Sequence, residues 1–112
     1  MEDSEIYPLN YLVYVPNGYM TGTAIRHYDI PDHIRFIEAY AFSDCSSLET
    51  VRLPKNLEKV GKYVFNGCDS LRLLKYPGTI EDFGKIIFIS DNSPLGLSRK
   101  VKVKCSDGEI EV

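Results

Sequence analysis

Residues 30–52 read Ile30-Pro31-Asp32-His33-Ile34-Arg35-Phe36-Ile37-Glu38-Ala39-Tyr40-Ala41-Phe42-Ser43-Asp44-Cys45-Ser46-Ser47-Leu48-Glu49-Thr50-Val51-Arg52. Residues 53–75, opening Leu53-Pro54-Lys55-Asn56-Leu57, lie on this stretch without a gap at a shift of 23 residues. Pro31/Pro54, Tyr40/Tyr63, Phe42/Phe65, Cys45/Cys68, Ser47/Ser70 and Leu48/Leu71 are identical pairs. Ile30/Leu53, Ile34/Leu57, Ile37/Val60, Ala41/Val64 and Val51/Leu74 are apolar in both copies. A fixed period in the twenties is the mark of a solenoid, in which each supersecondary unit buries its apolar face only against its neighbours.

Within each copy the pattern divides into short pieces. Ile25, Tyr28 and Ile30 precede Pro31; Leu48, Val51 and Leu53 precede Pro54; Leu71, Leu74 and Tyr76 precede Pro77. This predicts three short parallel strands, each stopped by a proline that cannot donate to a ladder. Side chains alternate across a strand, so Val51 and Leu53 face inward while Thr50 and Arg52 face outward. Ile34 with Ile37, and Leu57 with Val60, predict a second short extended piece. Residues 38–44 and 61–67 fit a single helical turn with Phe42 or Phe65 pointing in, and Asn66-Gly67 supplies a left-handed residue to end it.

The flanks read as covers for the stack. Residues 6–24, rich in tyrosine (Tyr7, Tyr11, Tyr14, Tyr19), predict a strand and turn that cap the first coil, since an uncovered end would expose the apolar stack. After the repeats of residues 25–75, residues 76–112 begin a third copy and then depart. Thr79 is a good N-cap, Glu81 and Asp82 follow at the positive end, and Ile80, Phe83 and Ile87 share a face, which predicts a helix. Residues 90–98 read as loop. Val101, Val103 and Cys105 alternate with Lys100, Lys102 and Lys104, and Ser106-Asp107-Gly108 predicts a turn into a closing hairpin. The 112 residues therefore form one domain.

The motif Pro31-x-x-Ile34-x-x-Ile37-x-x-Tyr40-Ala41-Phe42-x-x-Cys45-Ser46-Ser47-Leu48, followed by Tyr76-Pro77-Gly78-Thr79 and the closing Val103-x-Cys105-Ser106-Asp107-Gly108-Glu109-Ile110, resembles the BspA-type bacterial leucine-rich repeat over about residues 25–110. The resemblance implies a mostly β fold with short helices: a right-handed leucine-rich-repeat solenoid of the α/β solenoid class with a parallel sheet along one side. It also implies a non-enzymatic role in binding, often at the surface of bacteria.

Composition excludes several other classes. A hydrophobic content of 44% with 26% charged residues is that of an ordinary globular chain. A net charge of −3 gives no global attraction to nucleic acid or anionic membrane, and the apolar run at Ile86-Ile87-Phe88-Ile89 is far too short to cross a bilayer. The acidic start Glu2-Asp3-Ser4-Glu5 is not a signal peptide, so the chain as written is expected in the cytoplasm, and as a secreted or cell-surface protein if it is a fragment.

Few residues invite chemistry. Cys45 and Cys68 occupy one slot in successive coils, roughly one strand spacing of 5 Å apart; geometry does not forbid a disulfide, and packed thiols are the expectation. Cysteines separated by 23 and 37 residues, without a histidine pair, do not have zinc spacing. His27 lies on an outward strand face and His33 in a turn, neither with a nucleophile and an orienting acid, so no enzymatic use and no cofactor is expected. The lysines of residues 100–104 are expected to blunt an exposed sheet edge rather than to hold nucleic acid.

What remains is the outward face of the repeat sheet: His27 and Asp29, Thr50 and Arg52, Leu73 and Lys75. Stacking places these in two columns, the candidate surface for a protein partner or a glycan. The rival reading is a structural spacer whose surface binds nothing, or whose tyrosine-rich cap pairs into a homodimer through Tyr11 or Tyr14.

Overall fold

A computed structural model of the chain describes residues 9, 12–89, 95, 97 and 99–112. The strands are β1 (Tyr14–Val15), β2 (His27–Asp29), β3 (Phe36–Ile37), β4 (Thr50–Arg52), β5 (Lys59–Val60), β6 (Leu73–Lys75), β7 (Ile87–Phe88), β8 (Lys102–Cys105) and β9 (Gly108–Glu111); one helix, α1 (Ile80–Gly84), precedes β7. They form two sheets. One has the order β1-β3-β5-β7, and the other β2-β4-β6-β8-β9. Every pairing is parallel except that of β8 with β9.

The register carries the sequence period into space. Tyr28 pairs with Val51 and Val51 with Leu74, so β2, β4 and β6 step by 23 residues (51 − 28 and 74 − 51), whereas Leu74 to Val103 of β8 is a step of 29 (103 − 74). Ile30, Leu53 and Tyr76 extend each pairing by one amide, donating to Arg52, Lys75 and Lys104 at 2.9, 2.8 and 2.8 Å before the proline stops the ladder.

The inward residues of the two sheets, Ile37 and Val60 against Val51, Leu74 and Val103, meet in a fully buried core. Phe42 and Phe65 stack beside them with centroids 5.6 Å apart and 13° between planes. The slot of Cys45 and Cys68 is a packed one: both thiols are free and buried, and donate to the carbonyls of Met20 and Phe42, each at 3.0 Å. A thiol there satisfies a carbonyl of the preceding coil while filling apolar space.

The expected helical turns after β3 and β5 do not form. Tyr40 (φ 61), Asp44 (φ 58), Tyr63 (φ 55) and Gly67 (φ 80) adopt the left-handed conformation. The amides then alternate in direction. Those of Ala41 and Ser43 fold back to Glu38 and Tyr40, whereas those of Tyr40, Phe42 and Asp44 donate across to Lys62, Val64 and Asn66 in the next coil, at 3.0, 3.0 and 2.7 Å. Cross-coil bonding of every second amide uses the donors that a helix would need.

Residues 12–24, read as a cap, carry the same arrangement. β1 pairs with β3, Gly18 (φ 69) and Gly22 (φ 75) stand in the slots of Tyr40 and Asp44, and the amides of Met20 and Gly22 donate to Ala41 and Ser43 at 2.7 and 3.2 Å. Tyr7 and Tyr11, and most of the expected loop at residues 90–98, lie outside the described residues.

The helix is shorter than its apolar spacing suggests. Thr79 caps it with a reciprocal box to Asp82, but the chain leaves α1 after Gly84, and Ile87 is an outward residue of β7, 59% exposed. Only Phe83 of its expected apolar face is buried, set edge-on against Tyr76 and tilted against Phe88.

Candidate functional site

Alternation along the first four strands of the five-stranded sheet sends the partly buried Tyr28 and the buried Val51, Leu74 and Val103 inward, and so fixes which side chains face out. Register then aligns them. His27, Thr50, Leu73 and Lys102 form one column, and Asp29, Arg52, Lys75 and Lys104 the other. Glu111 and Glu109 of β9 close the two columns. All six residues expected on this face are thus brought together.

Three of the four outward residues on the first two strands of the face have partners, Asp29 being exposed without one among the described residues. His27 Nδ1 is hydrogen-bonded to Thr50 Oγ1. The Arg52 guanidinium forks onto the Asp32 carboxylate at 3.0 and 3.3 Å, and the Lys55 amide donates to the same group at 3.0 Å. The Arg52 bonds, aided by that amide, hold Asp32 below the usual carboxylate range. Beside the first column, Arg26 and Arg72 reach Glu49 at 2.7 and 3.6 Å, an alternating-charge rung across three coils. His33 Nε2 is bonded to the Leu9 carbonyl at 2.7 Å, away from this face.

The lysine row is placed differently from the expectation. β8 is not an edge strand: β6 lies on one side and β9 on the other. Lys102 and Lys104 therefore do not guard an open edge but continue the two columns of the candidate face. The signal was present in the sequence, because Val101, Val103 and Cys105 alternate as inward residues just as Val51 and Leu53 do, and the predicted hairpin return had to cover one side of the strand.

Away from this face, a concavity of about 720 Å³ is lined by His33, Arg35, Lys55, Glu58, Asp82 and Lys85 among others. Its acids are engaged, Glu58 with Arg35 and Asp82 with Lys85 and the Thr79 cap. Among the described residues no group of three or more His, Cys, Asp or Glu side chains is arranged to hold a metal, and no helix is long and apolar enough to cross a membrane. The face is a mixed-charge β surface built from side chains of successive coils.

The family model described as BspA type leucine rich repeat region (6 copies) matches residues 5–95. No curated protein and no solved structure matches the chain.

Proposed function

Because the chain belongs to the BspA-type leucine-rich repeat family, we propose that it is a non-catalytic interaction module binding a protein partner through the outward face of its five-stranded sheet. In this reading the coils form one right-handed solenoid of 23-residue units, a single domain whose last coil is closed by α1 and the β8–β9 hairpin. The observation that carries the reading is the register: His27, Asp29, Thr50, Arg52, Leu73 and Lys75 come from three separate coils and share one surface.

A sheet face supports binding because its backbone is already ordered, so little conformational entropy is lost on contact. The area is that of a few short strands, near the lower end for stable complexes, and predicts modest affinity strengthened by avidity.

Photo-crosslinking tests this. A benzophenone side chain at Thr50 or Leu73, in the chain produced in its native cell, should trap a protein, whereas the same group at Lys62, on the turn side, should not. Crosslinks at neither face position, or at all three alike, would remove the assignment and favour a spacer. Trapping of carbohydrate in place of protein would transfer the face to a glycan.

A further inference from the structure

Edge protection does not account for the lysines of a strand that has neighbours on both sides. Residues 72–75 and 99–105 hold Arg72, Lys75, Arg99, Lys100, Lys102 and Lys104 and not one acidic side chain, in a chain of net charge −3. The flanking carboxylates answer only part of this charge. Glu49 lies 3.6 Å from Arg72 and Glu109 lies 3.5 Å from Lys102. Lys75, Lys100 and Lys104 are exposed and take no carboxylate among the described residues. The face is thus polarised: at β2–β4 Arg52 is paired with Asp32 and Asp29 adds an exposed carboxylate, whereas β6–β8 is cationic and bordered on one side by Glu109 and Glu111 of β9.

We infer that β6 and β8 recognise an extended acidic segment of the protein partner, with carboxylates at alternate positions. The inference rests on the proposed function, which assigns this face to a protein. Lys100, Lys102 and Lys104 recur every second residue, roughly 6.8 Å apart along an extended chain, which is also the spacing of alternate side chains in an extended peptide. Lys75 stands beside Lys104 and Leu73 beside Lys102, so an apolar position at Leu73 lies within the cationic band. Single-stranded nucleic acid fits less well, since its sites add aromatic platforms for the bases, and the outward residues of β4, β6 and β8 are Thr50, Arg52, Leu73, Lys75, Lys102 and Lys104.

The probe is a synthetic peptide of alternating Glu and Thr, titrated into the isotope-labelled full chain and followed by amide chemical shifts. Shifts should concentrate on β6 and β8, and raising NaCl from about 50 to about 500 mM should weaken binding roughly tenfold. Lys75→Gln with Lys104→Gln should lower affinity by roughly the same factor, Lys75→Arg with Lys104→Arg should retain it, and Lys59→Gln with Lys62→Gln, on other surfaces, should leave it unchanged. Absence of shifts on β6 and β8 overturns the inference, as does equal loss in the two Gln pairs. So does a DNA oligonucleotide or heparin that shifts these amides where the acidic peptide does not. Crosslinks from Thr50 and Leu73 without a peptide response would sink the acidic partner and keep the face. A peptide response without crosslinks would keep the cationic site and remove the protein assignment it rests on.

Discussion

Phe42 and Tyr40 are both repeated identically one period on, yet the two identities have different physical causes. Phe42 and Phe65 are 0% and 1% exposed and stacked in the core. Tyr40 and Tyr63 are 44% and 49% exposed, 5.5 Å apart between ring centroids, on left-handed backbone that costs an L-residue about 1–2 kcal/mol. Repetition alone does not separate buried from exposed, because both slots are copied by the same coil geometry. The consequence is measurable for the core slot. Phe65→Ala should lose about 3–5 kcal/mol in urea unfolding, from the transfer of the ring and the cavity left against Phe42. A folded variant with an unchanged midpoint would mean that this ring is not in the stack. Glycine at 61 is demanded by closeness instead: a Cβ there would stand 2.6 Å from the Ala39 amide nitrogen of the preceding coil.

Elements were legible in the sequence where period and alternation agreed, and obscure where hydrogen bonds ran between coils. Proline-terminated strands at β2, β4 and β6, the inward Val101, Val103 and Cys105, and the returning hairpin all follow from side-chain pattern. The turns after β3 and β5 do not, since the amides of Tyr40, Phe42 and Asp44 are satisfied by residues 22 positions away in the chain, which no local propensity reports. The six candidate face residues were legible for the same reason as the strands, while Lys102 and Lys104 joined them only once β8 was seen to be paired on both sides. For α1 the cap was readable and the length was not. Thr79 accepts from the Asp82 amide at 3.0 Å, and the Ile80 amide donates to Asp107 of the β8–β9 turn at 2.9 Å, so the helix start is tied to the closing hairpin. Thr79→Ala should therefore cost about 1 kcal/mol, measured by chemical denaturation. Hydrogen exchange at Ile80 and through β9 should accelerate together in that variant; loss confined to α1 would show that the tie carries no stability.

At the scale of the whole molecule, leaving aside the coupled pair Cys45 and Cys68, the shifted ionisable groups form two sets acting at opposite ends of the pH range. Asp32, held by Arg52, Glu49, held by Arg26, and Asp82, held by Thr79, all lie below the usual carboxylate range in the folded chain. A depressed carboxylate contributes stability that is complete above its unfolded value, about 4, and is lost as pH falls toward the folded one. The second set is pushed upward. Burial raises the Cys105 thiol and the Tyr28 and Tyr76 phenols. These groups hold their protons more tightly when folded, so their contribution is complete below the unfolded values, about 8.5 for a thiol and 10 for a phenol, and declines as pH rises beyond them. Thermal melts should therefore give a plateau between about pH 5 and pH 8, with an acid limb set by the paired carboxylates and an alkaline limb set by Cys105, Tyr28 and Tyr76. Arg52→Gln removes the larger of the two causes that hold Asp32 down, leaving the Lys55 amide, so it should make the acid limb shallower and leave the alkaline limb unchanged. An acid limb of equal slope in that variant would show that the Arg52–Asp32 pair, although it links two coils, does not contribute to holding the stack together.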